Sequence, residues 1–168
     1  KIKRKCKVLG NKSEIEKKPW QVLQLTQIEP LLLFKMLQLR QQVFMLEQQC
    51  LYADMDELDI TALHVFLQNE KSDVIACARL IAPCGDYPNP RIGRLIVAMP
   101  YRGKGLAYAL LAKCVDELQK IYPQTAIDIS AQYHLKGFYQ KAGFGIISEP
   151  YDEDGIVHID MRRKNKGK

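Results

Sequence analysis

Arg102-Gly103-Lys104-Gly105 stands between a short apolar run, Leu95 to Val97, and an apolar-periodic segment, a combination suited to holding an anion. Glycine adopts positive φ without a side-chain penalty and lets the backbone approach a ligand closely. The helix that follows would offer unpaired N–H groups and the positive end of its dipole to a phosphate. Arg102 and Lys104 add full charges. Spacing then separates the known kinds of phosphate loop. A G-x-x-x-x-G-K-[ST] loop fails because Ala98 holds the place of its first glycine and Gly105 follows Lys104. A G-x-G-x-x-G dinucleotide turn fails because counting from Gly103 and Gly105 reaches Tyr108. The pattern Arg/Gln-x-x-Gly-x-Gly/Ala fits, as Arg102, Gly105 and Ala107.

Other chemistry is sparse. The five cysteines, Cys6, Cys50, Cys77, Cys84 and Cys114, contain no C-x-x-C pair, so neither a disulfide framework nor a zinc site is indicated. With His64, His134 and His158 as the whole imidazole supply, no metal is expected. Cys50 lacks partners at any spacing that marks a cysteine nucleophile and reads as a small apolar residue.

The elements that must position the turn follow from periodicity. Trp20 to Leu25 alternates as a strand, Pro30 suits a first helical turn, and Leu31 to Leu46 has the three- and four-residue spacing of an amphipathic helix extending toward Gln49. Cys50 to Asp59, acidic and without strong periodicity, reads as a loop or a short helical turn. Ala62–Leu67 and Val74–Ile81 read as strands joined by a hairpin at Asn69–Asp73, and Cys84–Asn89 as a Gly/Pro loop. Ile92–Val97 is a buried strand, Lys104–Ile121 a long helix, Ala126–Ala131 a strand, and Leu135–Ala142 a helix stopped by Gly143. Phe144–Ile147 and Ile156–Met161 give two last strands around an acidic turn. The class is α/β, and the crossover from Ile92 to Ala131 requires one parallel strand pair.

Length bounds the chain to one domain, expected over 19–162 between a basic extension, 1–18, taken as partly flexible, and a basic tail, 163–168. The net charge of +6 hides a division: the ends carry +6 (1–18) and +5 (162–168), leaving −5 on the body. Basic ends of this kind read as solvated rather than as a nucleic-acid anchor. No apolar run approaches the ~20 residues of a membrane span and no secretory h-region is visible, so a cytoplasmic protein is expected.

A second motif stands downstream in Ala131 to Phe144, AQYHLKGFYQKAGF, where Phe138-Tyr139 is followed by Lys141 and Gly143-Phe144. Together with Arg102-x-x-Gly-x-Ala in this order and distance, residues 20 to 162 resemble the GNAT (Gcn5-related) N-acetyltransferase superfamily. The segments LRQQVFMLEQQCLYADMDELD, CARL, IGRLIV and EPYDEDGIVHI resemble its ElaA-like branch. The chain departs from the common pattern at Gln132, where many members have Asn, and at Met99, where many have Pro.

The resemblance implies a mixed, mostly antiparallel sheet whose one parallel pair splays open, and transfer of an acetyl group from acetyl-CoA to an amine in one ternary complex. It implies that the pyrophosphate is held across Gly103, Lys104, Gly105, Leu106 and Ala107, with Arg102 and Lys104 in support. Pantetheine would lie along Leu95, Ile96 and Val97 with Gln132 nearby, and an amide near Ile96 or Val97 would face the acetyl oxygen. Tyr139 is the expected general acid toward the leaving thiolate. For the base, Glu47, His64, Glu149 and His158 stand open, and Asp54, Asp56, Glu57 and Asp59 are read as a charge that could attract a cationic acceptor. The acceptor would be a small-molecule or peptide amine, and the resemblance allows a homodimer. The rival reading is a catalytically weak CoA-binding module acting as sensor or interaction domain.

Overall fold

The computed structural model describes residues 19–50 and 52–165; the expected flexible extension at 1–18 and the end of the basic tail lie outside the described residues. Strands β1 (Gln21–Gln24), β2 (Leu63–Gln68), β3 (Val74–Ile81), β4 (Arg91–Val97), β5 (Ile127–Gln132), β6 (Gly145–Ile146), β7 (Tyr151–Glu153) and β8 (Ile156–Arg163) form one sheet in the order β1-β2-β3-β4-β5-β8-β6, with β7 paired to β8. All pairings are antiparallel except β4 with β5. Helices α1 (Pro30–Arg40), α2 (Leu58–Thr61), α3 (Leu106–Ile121) and α4 (Lys136–Lys141) complete the chain.

β3 is buried at every position because both faces of the sheet are covered. On one side Val65, Ala76, Ile92 and Val97 pack against Leu110, Leu111, Cys114 and Leu118 of α3. On the other, Phe66, Cys77 and Ile96 pack against Met36, Leu39, Val43 and Phe44. The alternation of side chains along each strand supplies both layers.

Three expectations are amended. The helix over Leu31 to Leu46 is α-helical only to Arg40; Gln41–Glu47 widens to π-type turns, with the Gln48 amide bonded to the Val43 carbonyl at 3.0 Å. The wider turns keep Val43 and Phe44 buried while bringing Glu47 to the end of β4. Tyr151–Glu153, read as turn, is a strand, because a hairpin around Asp154 and Gly155 pairs it with β8. β8 itself runs past 162 to Arg163, where Arg162 grips Asp128 through Nε and Nη2 at 2.7 and 2.8 Å. The start of the expected tail therefore belongs to the sheet.

Candidate active site

β4 touches β5 only at its start. Arg91 pairs with Asp128, whose amide donates to the Pro90 carbonyl at 3.0 Å; beyond that point the strands part. A bulge in β4 accounts for the divergence. Its register against β3 slips between Cys77 and Arg79, and Arg94, at the slip, has φ of 52°. An extra residue bends a strand and increases its twist. The Ala98 amide donates to the Ile75 carbonyl at 2.8 Å, so the alternation of an antiparallel ladder turns the main-chain groups of Ile96 toward β3 and those of Leu95 and Val97 into the gap. Of the two amides expected near an acetyl oxygen, Val97's faces the opening.

The gap is a cavity of about 110 Å³ whose walls include Phe44, Gln48, Leu95, Gln132, Tyr139 and His158. Gln132 at the end of β5 donates to the Gln48 side chain at 3.1 Å, tying the strand to the end of the first helix. At the far end of β4 the glycine turn opens. Gly103 and Gly105 have φ of 72° and 81°, and a Cβ on either would meet nothing within 4 Å. Gly105 caps α3 without a side-chain hydrogen bond, so the first-turn N–H groups at Leu106 and Ala107 have no intrahelical acceptor and a 16-residue helix dipole stands behind them. Lys104 Nζ lies 3.0 Å from the Pro100 carbonyl. This geometry suits an anionic, extended ligand running from the turn into the gap.

Arg102 is engaged with protein groups. Its Nε donates to the Val97 carbonyl and its Nη2 to Glu47, both at 2.7 Å. Glu47 is thereby held through Arg102 near the end of β4 and lines neither the gap nor the larger cavity beside it.

Tyr139 is buried, its ring edge-on to Phe138 at 4.9 Å and to Phe144 at 6.0 Å. Burial, with a smaller contribution from Cys114, pushes its phenol up to about 12, so it carries its proton at any physiological pH.

The acidic segment does not act as a free negative field. Asp54 and Asp59 are 7% and 6% exposed, and Arg40, 1% exposed within the apolar face of α1, reaches Asp54 Oδ2 at 2.8 Å and Asp59 Oδ1 at 2.7 Å. Arg79 takes Asp56 through two nitrogens at 2.6 and 3.1 Å, and Arg94 reaches Asp54 at 2.7 Å. Three arginines neutralise three carboxylates; of the expected attracting set Asp56 and Glu57 are exposed, and Asp56 is held by Arg79. A charged residue inside an apolar helical stripe was the sequence signal for this network. His64 lies beneath it, 1% exposed, with Nε2 at 2.9 Å from the Asp59 carbonyl; burial depresses its pKa and it borders neither cavity. Glu149 borders neither as well.

Beside the gap lies a second cavity of about 490 Å³, walled by the loop from Cys50 to Leu58, the start of β4, and the β7–β8 hairpin with Glu153, Asp154 and His158. Cys50 borders it, but burial together with Asp154 and Asp54 pushes its thiol up, which leaves it protonated and poorly nucleophilic. Among the described residues there is no cluster of three or more His, Cys, Asp or Glu able to hold a metal, and no helix long and apolar enough to cross a membrane.

Comparison with known proteins gives this arrangement a family. A family model described as an acetyltransferase (GNAT) domain matches residues 34–165. Protein ElaA of Escherichia coli is 36% identical over 146 residues, covering 86% of this chain and 95% of that protein. A UPF0039 protein of Synechocystis is 42% identical over 127 residues, 76% of this chain and 82% of its own. Among solved structures, an acyl-CoA N-acyltransferase from Pseudomonas aeruginosa superimposes with a TM-score of 0.80 at 32% identity, covering 86% of this chain and 98% of that one. E. coli ElaA gives 0.79 at 34%, covering 87% and 99%. The splayed β4–β5 pair, the glycine turn on α3 and these relatives together establish that the chain belongs to the GNAT acetyltransferase superfamily, in its ElaA-like branch, whose common chemistry is acyl transfer from a CoA donor.

Proposed function

We propose that the protein transfers an acetyl group from acetyl-CoA to an amine by direct attack within a ternary complex. The observation that carries this reading is the gap itself: a strand pair opened by the Arg94 bulge, with Leu95 and Val97 main-chain groups directed inward and an uncapped helix N-terminus at one end. When bound, the thioester supplies an activated acyl carbon. The residues of the chain supply the rest. First-turn N–H groups of α3 hold the pyrophosphate, and Leu95 and Val97 extend the sheet to the pantetheine amides. The Val97 N–H faces the acyl oxygen, where negative charge grows.

Tyr139 donates a hydrogen bond to the departing sulfur. A phenol near 12 is a weaker acid than an ordinary thiol, about 8.5, so it stabilises the thiolate by a hydrogen bond rather than by complete proton transfer. The larger cavity adjoins the gap and receives the acceptor; its size accommodates a small amine or a peptide end.

The test is thiol release from acetyl-CoA over a panel of polyamines, aminoglycosides, free lysine and peptide N-termini. Turnover with at least one amine is expected, and Tyr139→Phe should slow it by about 10- to 100-fold, the worth of a hydrogen bond to a charged group, with CoA affinity nearly unchanged. Acetyl-CoA binding with no turnover on any amine would favour the CoA-binding module.

A further inference from the structure

We infer that His158 is the general base that takes the acceptor's proton, and that Tyr151, anchored by Ser130 and Asp160, positions it. The inference rests on the acyl-transfer reading above. The residues bordering both the gap and the larger cavity are Tyr52, Ile92, Gly93, Arg94, Ser130, Gln132 and His158. An amine must meet the thioester where the two cavities join, so its base must reach that junction. Of these groups only the imidazole carries a ring-nitrogen lone pair able to accept a proton: the Tyr52 phenol is pushed up by burial, a guanidinium has no acceptor, and hydroxyl and amide side chains are not bases.

The tautomer is fixed by geometry. His158 Nδ1 lies 2.9 Å from the Ile156 carbonyl, which can only accept, so Nδ1 carries a proton and, in the neutral ring, the lone pair is left on Nε2. Glu153 Oε2 stands 3.7 Å from Nδ1, where it stabilises the imidazolium once Nε2 is protonated. Tyr151 stacks on the ring at 27° and 6.3 Å, and is itself held: its hydroxyl donates to Asp160 Oδ1 at 2.7 Å and lies 2.6 Å from Ser130 Oγ. Other titratable or charged groups lining the two cavities that His158 borders are Asp154 on the hairpin, Cys50, Tyr52 and Asp56 on the loop, Arg79 on β3, Arg91 and Arg94 on β4, and Tyr139 on α4; β5 contributes only uncharged Ser130 and Gln132.

The step balances as follows. His158 Nε2 removes a proton from the ammonium and passes it to solvent, leaving a neutral amine. The amine lone pair forms the C–N bond at the thioester carbon while the C–S bond breaks and sulfur leaves with its electron pair. The second nitrogen proton leaves through the freed imidazole, and the thiolate, hydrogen-bonded by Tyr139, takes a proton from solvent. Products are the amide, the free thiol and one proton.

The test uses His158→Gln, which keeps a polar side chain of similar reach. With an alkylamine acceptor, kcat/KM should fall by at least about 100-fold, and the decline of wild-type activity toward low pH should disappear from its profile. With hydroxylamine or an arylamine, already neutral at pH 7, the loss should shrink to under about 10-fold, which a merely structural defect would not do. CoA affinity and the unfolding temperature should stay at wild-type values. Nitrogen NMR of the ligand-free protein should show His158 protonated at Nδ1 and bare at Nε2. Tyr151→Phe should lower kcat with little change in KM. A low-pH decline that persists in His158→Gln, a larger loss in Glu153→Gln than in His158→Gln, or the opposite tautomer overturns the assignment. A wild-type protein that acetylates no amine overturns the acyl-transfer reading itself and this assignment with it.

Discussion

Arg40→Met tests the buried charge network that walls the larger cavity. Arg40 donates to Asp54 Oδ2 at 2.8 Å, to the Asp54 carbonyl and Asp59 Oδ1 at 2.7 Å each, and to Asp59 Oδ2 at 3.1 Å. Methionine fills much of the volume and removes every one of these bonds. Breaking a buried ion pair from one side costs roughly 3–5 kcal/mol. Here each carboxylate keeps a second cation, Arg94 at 2.7 Å for Asp54 and Arg79 at 3.1 Å for Asp59, so the low end, about 3 kcal/mol, is expected. At about 2–4 °C per kcal/mol for a chain of this size, the melting temperature should drop by roughly 6–12 °C.

The same perturbation has a pH signature. Burial pushes the Asp59 carboxyl up, but hydrogen bonding and charge from Arg40, with the charge of Arg79, outweigh it and hold the group below its ordinary value. A depressed carboxylate contributes stability that is present above its unfolded pKa, about 3.9, and is lost as pH falls through the lower folded value. The gap between wild type and Arg40→Met should therefore be full at pH 7 and narrow below about pH 4. Urea unfolding at pH 7 and pH 3 measures both points, and adding Asp59→Asn should recover part of the loss at pH 7 by removing a stranded charge. A difference under about 1 kcal/mol at pH 7, or one of equal size at both pH values, would refute the reasoning.

Two further outcomes are expected. Gly105→Ala places a Cβ in open space at φ of 81°, so its folding penalty is the left-handed backbone cost alone, about 1–2 kcal/mol, whereas calorimetry should show a far larger loss of CoA affinity if the turn cradles the pyrophosphate; affinity that survives intact would remove the turn from the site. Glu47→Gln breaks an ion pair whose Arg102 side is 42% exposed, so stability should change by less than about 1 kcal/mol, and CoA should bind as tightly or more tightly with Arg102 released; a collapse of turnover without loss of binding would instead make Glu47 a base.

Much of the fold was readable because its signals are local. Strand alternation in β3, the glycines before α3 and the Gly143 stop after α4 all depend on neighbours within a few residues. The glycine turn was readable for the same reason, since positive φ at Gly103 and Gly105 and first-turn N–H groups without intrahelical acceptors belong to the turn itself. β7 escaped because three residues beside an acidic glycine turn show no period of their own; they are a strand only because β8 lies against them.

The charges behaved differently, and distance along the chain is the reason. Asp54, Asp56 and Asp59 form an acidic run in one dimension, but Arg40, Arg79 and Arg94 come from α1, β3 and β4 to neutralise them, contacts that span 14 to 40 residues. Glu47 and His64 failed to reach the cavities for the same kind of reason: one is drawn to Arg102 across 55 residues, the other is sealed beneath the network. By itself the sequence determined where a phosphate could be held, since that site is made of one turn and the helix behind it. Only the tertiary structure decided which acids are tied to arginines, how far β4 and β5 part, and that His158 stands where the two cavities meet, because each depends on elements that become neighbours only when the sheet closes.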